Sequence, residues 1–148
     1  MDIHGDWGQA GFEALGEEEC FELLGRGTIG RVGVNLDSIP VVLPVNYHFA
    51  EGAIHFRTGA GAKLTAATKN AVVSFQVDDI DPLYHAGWSV LAVGPARVLE
   101  DSIVLAWAAR LPLRAWAPGV REHFVRIVPE FVSGRRIVPG HDEPQPWP

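Results

Sequence analysis

Apolar positions along the chain change period at residue 28. Between Glu17 and Leu24 they fit one face of a short helix, with Phe21 and Leu24 at i and i+3, acidic residues in the first turn, and Gly25 and Gly27 ending it. From Thr28 the alternation is that of strands. Ile29, Val32 and Val34 with Arg31 and Asn35 form the first. Asp37-Ser38 is a turn, and Ile39 to Phe49 a second strand in which Pro40 and Pro44 imply an edge or a bulge. Glu51-Gly52 fits a tight turn before a third strand, Ala53 to Thr58. A glycine bend at Gly59-Ala-Gly-Ala leads to a short helix, Lys63 to Thr68. Ala71 to Val77 is a fourth strand, ended by the acidic turn Asp78 to Pro82. Gly87 to Leu99 is a long fifth strand with a kink at Gly94-Pro95. Ser102 caps a helix over Ile103 to Leu111, and Phe124–Val128 and Phe131–Val138 close the domain as strands. This order predicts a mainly β fold, a six- to seven-stranded barrel with accessory helices, over residues 13–138. Residues 1–12 form a loose lead-in, and 139–148 a Pro-rich tail expected to be disordered.

Composition narrows the functional classes. The chain has 148 residues, 47% hydrophobic and 20% charged, which is one domain with a real core. A net charge of −6 gives no electrostatic reason for a nucleic-acid partner. No apolar run approaches a membrane span of about 18 residues, and the N-terminus lacks the basic start and apolar stretch of a signal peptide. A cytoplasmic protein is expected. Cys20 stands alone among acidic neighbours, so neither a disulfide nor a Cys-rich zinc site is available, and a buried, inert thiol is the expected role. The six His are scattered. His48 and His55 fall on neighbouring strands without a third ligand of suitable type, so no metal site is expected.

The sequence contains no GxSxG, no Walker loop, no HExxH and no GxGxxG between strand and helix. One stretch has the chemistry to hold a phosphate: Arg57-Thr58-Gly59-Ala60-Gly61-Ala62-Lys63-Leu64, which runs from a strand through a glycine bend into a helix. It joins a planar guanidinium fork, a point charge, a hydroxyl and unencumbered backbone N–H groups. Its plain reading is a solvated loop. A second stretch is Leu43-Pro44-Val45-Asn46-Tyr47. Asn is depleted in strands, and Asn46 together with the backbone of a Pro-interrupted strand offers groups for the polar edge of a planar ring. Its plain reading is an amide bonded to a nearby loop. Gly87-Trp88-Ser89 is the third, where Trp88 serves either as core or as a stacking surface.

Taken in order, Gly30-Arg-Val32, Pro44-Val-Asn-Tyr47, Phe56-Arg-Thr58, Gly61-x-Lys63-Leu64, Phe75-x-Val-Asp78, Gly87-Trp-Ser-Val90, Gly94, Val125-Arg-Ile127 and Ser133-Gly-Arg-Arg136 resemble the pyridoxamine 5′-phosphate oxidase-like, FMN-binding split-barrel proteins. The likeness is greatest to their small actinobacterial branch and to the nitroimidazole-resistance-like proteins. It implies a split β-barrel, a homodimer, and FMN at the subunit interface. Arg57, Thr58 and Lys63 would then hold the phosphate, and Leu43, Pro44, Val45 and Asn46 would line the ring beside Leu64. Trp88 and Ser89 would reach the site from the second subunit. An oxidoreductase acting on a small molecule is implied, with a nicotinamide cofactor as possible donor. No catalytic residue is assigned. The resemblance departs in two places. The C-terminus carries no counterpart of the pyridoxamine phosphate-binding motif, so that substrate is not expected. Arg57 also stands where nitroimidazole-resistance proteins often have His. The wider superfamily adds as alternatives the deazaflavin F420, haem with His48, His55 or His85 as ligand, and a flavin carrier or sensor without turnover.

Overall fold

A computed structural model describes residues 12–59, 63–113 and 122–137. The lead-in before Phe12, the glycine bend at 60–62, Val138 and the tail lie outside the described residues. Eight strands and three helices follow in the order β1 (Phe12–Leu15), α1 (Glu17–Leu24), β2 (Ile29–Leu36), β3 (Ile39–Ala50), β4 (Ala53–Gly59), α2 (Lys63–Thr68), β5 (Val72–Asp81), β6 (Ala86–Val98), α3 (Ser102–Ala108), β7 (Glu122–Ile127) and β8 (Phe131–Ile137). The strand order β6-β5-β2-β3-β4-β7 returns to β6, so six strands close a barrel, and β8 and β1 extend the sheet from the other edge of β6. This is a split β-barrel.

Two tight turns set the hairpins. Asp37 and Ser38 between β2 and β3, and Glu51 and Gly52 between β3 and β4, all have positive φ. Such turns match the right-handed twist of the flanking strands. The alternating residues Val32 and Val34, Val45 and Tyr47, Ile54 and Phe56, Val73, Phe75 and Val77, Val90 and Ala92, and Val125 and Ile127 fill the barrel. Helix α1 plugs one end with Cys20, Leu23 and Leu24, while Phe21 is only partly covered and stacks on Phe49 at 5.8 Å. The Tyr47 hydroxyl donates to the Leu24 carbonyl at 2.7 Å and ties the helix end to the barrel. Gly27 lies so close that a Cβ there would come within 2.2 Å of that hydroxyl. Cys20 is buried as expected, and burial, then Glu19 and Glu17, push its thiol pKa up.

Three expectations need correction. Helix α3 is capped by Asp101 rather than Ser102: the Asp101 carboxylate accepts from the backbone N–H of Ile103 and Val104 at 2.9 and 3.1 Å, and the helix stops at Ala108. β5 does not end at Val77. It runs on through the acidic residues to Asp81, because β6 pairs with it as far as Asp81↔Ala86. Phe12 belongs not to a lead-in but to β1, a four-residue strand held by β8.

The kink at Gly94-Pro95 is where β6 changes partner. Its second edge pairs with β8 over Gly87–Val93 and with β7 over Ala96–Val98. Between them the chain after β7 crosses over Gly94: Val128 N–H donates to the Pro95 carbonyl at 3.2 Å and Glu130 N–H to the Val93 carbonyl at 2.9 Å. A Cβ at Gly94 would sit 2.0 Å from the Val128 carbonyl oxygen. Backbone cannot move aside there without breaking both bonds. Gly94→Ala is therefore expected to destabilise the fold by about 3 kcal/mol, measured as the shift of the urea midpoint, whereas Gly16→Ala, where a Cβ meets nothing within 4 Å, is expected to change it little.

Candidate functional site

The barrel wall opens where β3 and β4 part. Their pairing runs from Ala50↔Ala53 to Tyr47↔Phe56 and stops, although β3 continues back to Ile39 along β2 and β4 continues to Gly59 along β7. Residues 39–46 of β3 thus keep β2 on one edge, and no strand among the described residues pairs with the other. Tyr47 N–H donates to the Thr28 carbonyl at 3.0 Å. In that register odd-numbered residues of β3 bond to β2 and even-numbered ones face away. The open edge therefore carries the N–H groups of Val42 and Asn46 and the carbonyls of Pro40, Val42 and Pro44. Pro40 and Pro44, which have no N–H, stand where β2 needs none. The expectation of an edge at the prolines holds.

The residues singled out in the sequence divide between the two faces of this wall. Val45 is buried in the barrel and Leu43 partly so, while Pro44 and Asn46 lie on the outer face, Asn46 opposite Ile29. Thr58 points into the barrel and its hydroxyl is 2.5 Å from that of Thr65 on α2. Thr65 also donates to the Gly59 carbonyl at 3.4 Å, and Thr68 to the Thr65 carbonyl at 3.0 Å. This hydroxyl chain fixes α2 against the end of β4, with Leu64 packed on the core. Lys63 begins α2. Arg57 projects to the opposite side of β4 from Thr58: it donates to the Leu113 carbonyl at 3.0 Å and lies 4.6 Å from the centre of the Phe124 ring.

Trp88 and Ser89 also occupy opposite faces of β6. Trp88 packs partly against the core. Ser89 sits in a polar row on the outer face, where Gln76 donates to Ser89 at 3.1 Å and to Asp78 at 2.8 Å, and Arg31 pairs with Asp78 at 3.5 Å.

His48 and His55 are cross-strand partners. His55 is fully buried beneath α3, its ring 5.0 Å from that of Trp107, and Arg126 Nε donates to its Nε2 at 3.0 Å. Burial, then the Arg126 charge, lower its pKa to about 4. An imidazole whose Nε2 accepts from a guanidinium is neutral, with its proton on Nδ1. His55 is thus a packed core group whose outward nitrogen is already taken. Among the described residues no group of three His, Cys, Asp or Glu side chains is placed to hold a metal ion.

Sequence reasoning missed the Thr58–Thr65–Thr68 chain and the contact of Arg57 with Leu113. A Thr at the end of a strand facing two in the next helix was a usable signal for the first. The second depends on the path of residues 99–113 over β4, which has no local signature.

With this geometry the relatives agree. The family model for pyridoxamine 5′-phosphate oxidase matches residues 16–136. The chain belongs to that family. It is 34% identical to the uncharacterized protein Rv0080 of Mycobacterium tuberculosis over 84% of both chains. The structure of the FAD binding protein from Mycobacterium smegmatis superposes with a TM-score of 0.72 at 35% identity, covering 84% of this chain and 96% of that one. A FAD-binding protein from Mesorhizobium loti matches at 26% identity and TM-score 0.69 over 86% and 97% of the two chains. No helix of the described residues is long and apolar enough to cross a membrane.

The buried neutral His55 makes folding pH-dependent. The unfolded chain takes up this proton near the ordinary value of 6.5, whereas the folded chain resists it until about 4. Stability is therefore complete above pH 6.5 and falls between 6.5 and 4, by about 3 kcal/mol from this group. Urea midpoints of the wild type and His55→Gln across that range should differ in slope, the variant lacking this component.

Proposed function

We propose that this protein binds a flavin, FMN, in the opening between β3 and β4, and transfers hydride between it and a small organic substrate in the cytoplasm. The observation that carries the reading is the open edge of β3. A flavin presents a lactam-type polar edge with alternating donors and acceptors, which matches the two free N–H groups and the carbonyls between Pro40 and Asn46 and the amide of Asn46. The phosphate belongs at the junction of β4 and α2, where Lys63 begins the helix; Arg57 joins it by leaving the Leu113 carbonyl, and Thr58 braces the junction from the barrel side through Thr65. Leu43, Val45 and Leu64 supply apolar support beneath. The 35% identity to a FAD binding protein supports the flavin class.

The hydride chemistry is the flavin's own when bound. The chain then has to anchor, orient and shield it. The absence of an acid–base or nucleophile motif in the sequence is consistent with that division, and an N–H donor at the ring edge favours negative charge developing there.

A second copy of the chain completes the site in this reading. The outer face carries Val42, 71% exposed, and Val72, 68% exposed, beside the partly exposed Leu91 and Val93. Pairing about a two-fold axis covers these side chains. Ser89, whose outer-face position keeps it from the groove of its own chain, is available to the neighbour's. A nicotinamide cofactor is the proposed donor. A second reading, FAD in the same groove, is favoured by the ligand named for two relatives.

The spectrum of the purified protein, with acid release of the chromophore, tests this. FMN released in stoichiometric amount is the expected result, and FAD selects the second reading. A Soret band would move the assignment to haem. Failure to bind FMN, FAD or F420 on titration would overturn the flavin reading. Lys63→Ala and Asn46→Ala are each expected to weaken FMN binding, the first by about tenfold to a hundredfold, the worth of one charge-assisted contact.

A further inference from the structure

A second opening lies between β2 and β5, apart from the groove between β3 and β4. The ladder joining these strands consists of Arg31↔Gln76, Val32↔Phe75 and Gly33↔Ser74. Both strands continue past its end, β2 back to Ile29 and β5 on to Asp81, with β5 keeping β6 on its other edge. Even-numbered residues of β2 bond to β3, so Ile29 turns its N–H and carbonyl towards β5, and the next rung in register is Ile29 opposite Asp78. The pairing stops before that rung. A cavity of about 480 Å³ takes its place, lined by Arg26, Ile29, Val77, Asp78, Asp79 and Trp88 among others.

Its chemistry is specific. Trp88 and Val77 give a flat apolar wall, suited to an aromatic ring. The unmade rung offers a donor beside an acceptor on each strand, the complement of a carboxamide or lactam. Asp78 is paired with Arg31 at 3.5 Å and accepts from the Gln76 amide at 2.8 Å. Arg26, exposed, makes no ion pair with the described residues and stands as the unneutralised cation at the rim. Asp79, also exposed, repels negative charge at its own side.

We propose that this slot binds a planar heteroaromatic ring bearing a carboxamide or lactam edge and one anionic group, the ring on Trp88, the amide edge completing the broken rung, and the anion turned towards Arg26 and away from Asp79. The volume suits one such ring with a sugar-sized substituent.

Reduced nicotinamide mononucleotide, whose ring is uncharged, is the probe, titrated calorimetrically into the flavin-free protein, so that failure of the flavin reading leaves this test intact. One saturable site per chain is expected, with Kd below about 1 mM. Arg26→Gln should weaken it by about fivefold or more, and the phosphate-free reduced nicotinamide riboside should bind the wild type as weakly as the nucleotide binds that variant. Asp79→Asn should tighten binding, and Trp88→Leu should weaken both ligands. Because Arg26 and Asp79 are exposed, their variants test the site even where a change at Trp88 disturbs folding. No saturable binding by about 10 mM, or binding unaltered in Arg26→Gln and Asp79→Asn, overturns the proposal.

Discussion

Closure of the barrel depends on one close approach, that of the backbone after β7 to Gly94. β6 is the strand on which both parts of the sheet are built. It carries β5 along one edge, and on the other it holds first β8 and then β7. A straight strand could continue in one sheet only. The bend at Gly94-Pro95, locked by the bonds from Val128 and Glu130, lets the same strand serve the flat extension and the barrel seam. Only a residue without a side chain leaves room for the crossing carbonyl.

Among the described residues the wall of this ring parts at two places. β3 leaves β4 beyond Tyr47, and β5 leaves β2 beyond Gln76. Both partings expose strand edges with their hydrogen-bonding groups unspent, and both lie next to aromatic or apolar side chains rooted in the core. Ile29 and Asn46, opposite one another on β2 and β3, stand between the two openings.

Much of this was readable from local chemistry. Asp37-Ser38 and Glu51-Gly52 demanded turns because few residues accept positive φ, and they occur there. Pro40 and Pro44 announced an open edge through what they lack. Helix α2 falls on Lys63–Thr68, as its pattern implies. What stayed hidden depends on distant chain. β1 has four residues of mixed polarity, and only β8 makes it a strand. Asp101 and Ser102 are both good caps in adjacent positions, and nothing local chooses between them. The acidic residues after Val77 looked like a turn, yet Gln76, Arg31 and the long β6 keep them in the ladder. The phosphate-binding stretch was legible as chemistry. That Arg57 and Thr58 leave β4 on opposite sides follows from strand alternation, and the engagement of Arg57 with Leu113 does not.

The prolines of β3 have a consequence beyond ligand binding. An uncovered edge of eight residues is a template on which a foreign strand can add, the first step towards fibrous assembly. Here the amides that face outward belong to every second residue, and Pro40 and Pro44 remove half of those four. The two that remain, at Val42 and Asn46, lie about 13 Å apart. An incoming chain would find donors too sparse to continue the ladder, while a compact ring needs only one neighbourhood of them. The same two residues that keep the edge available to a small molecule thereby deny it to polypeptide.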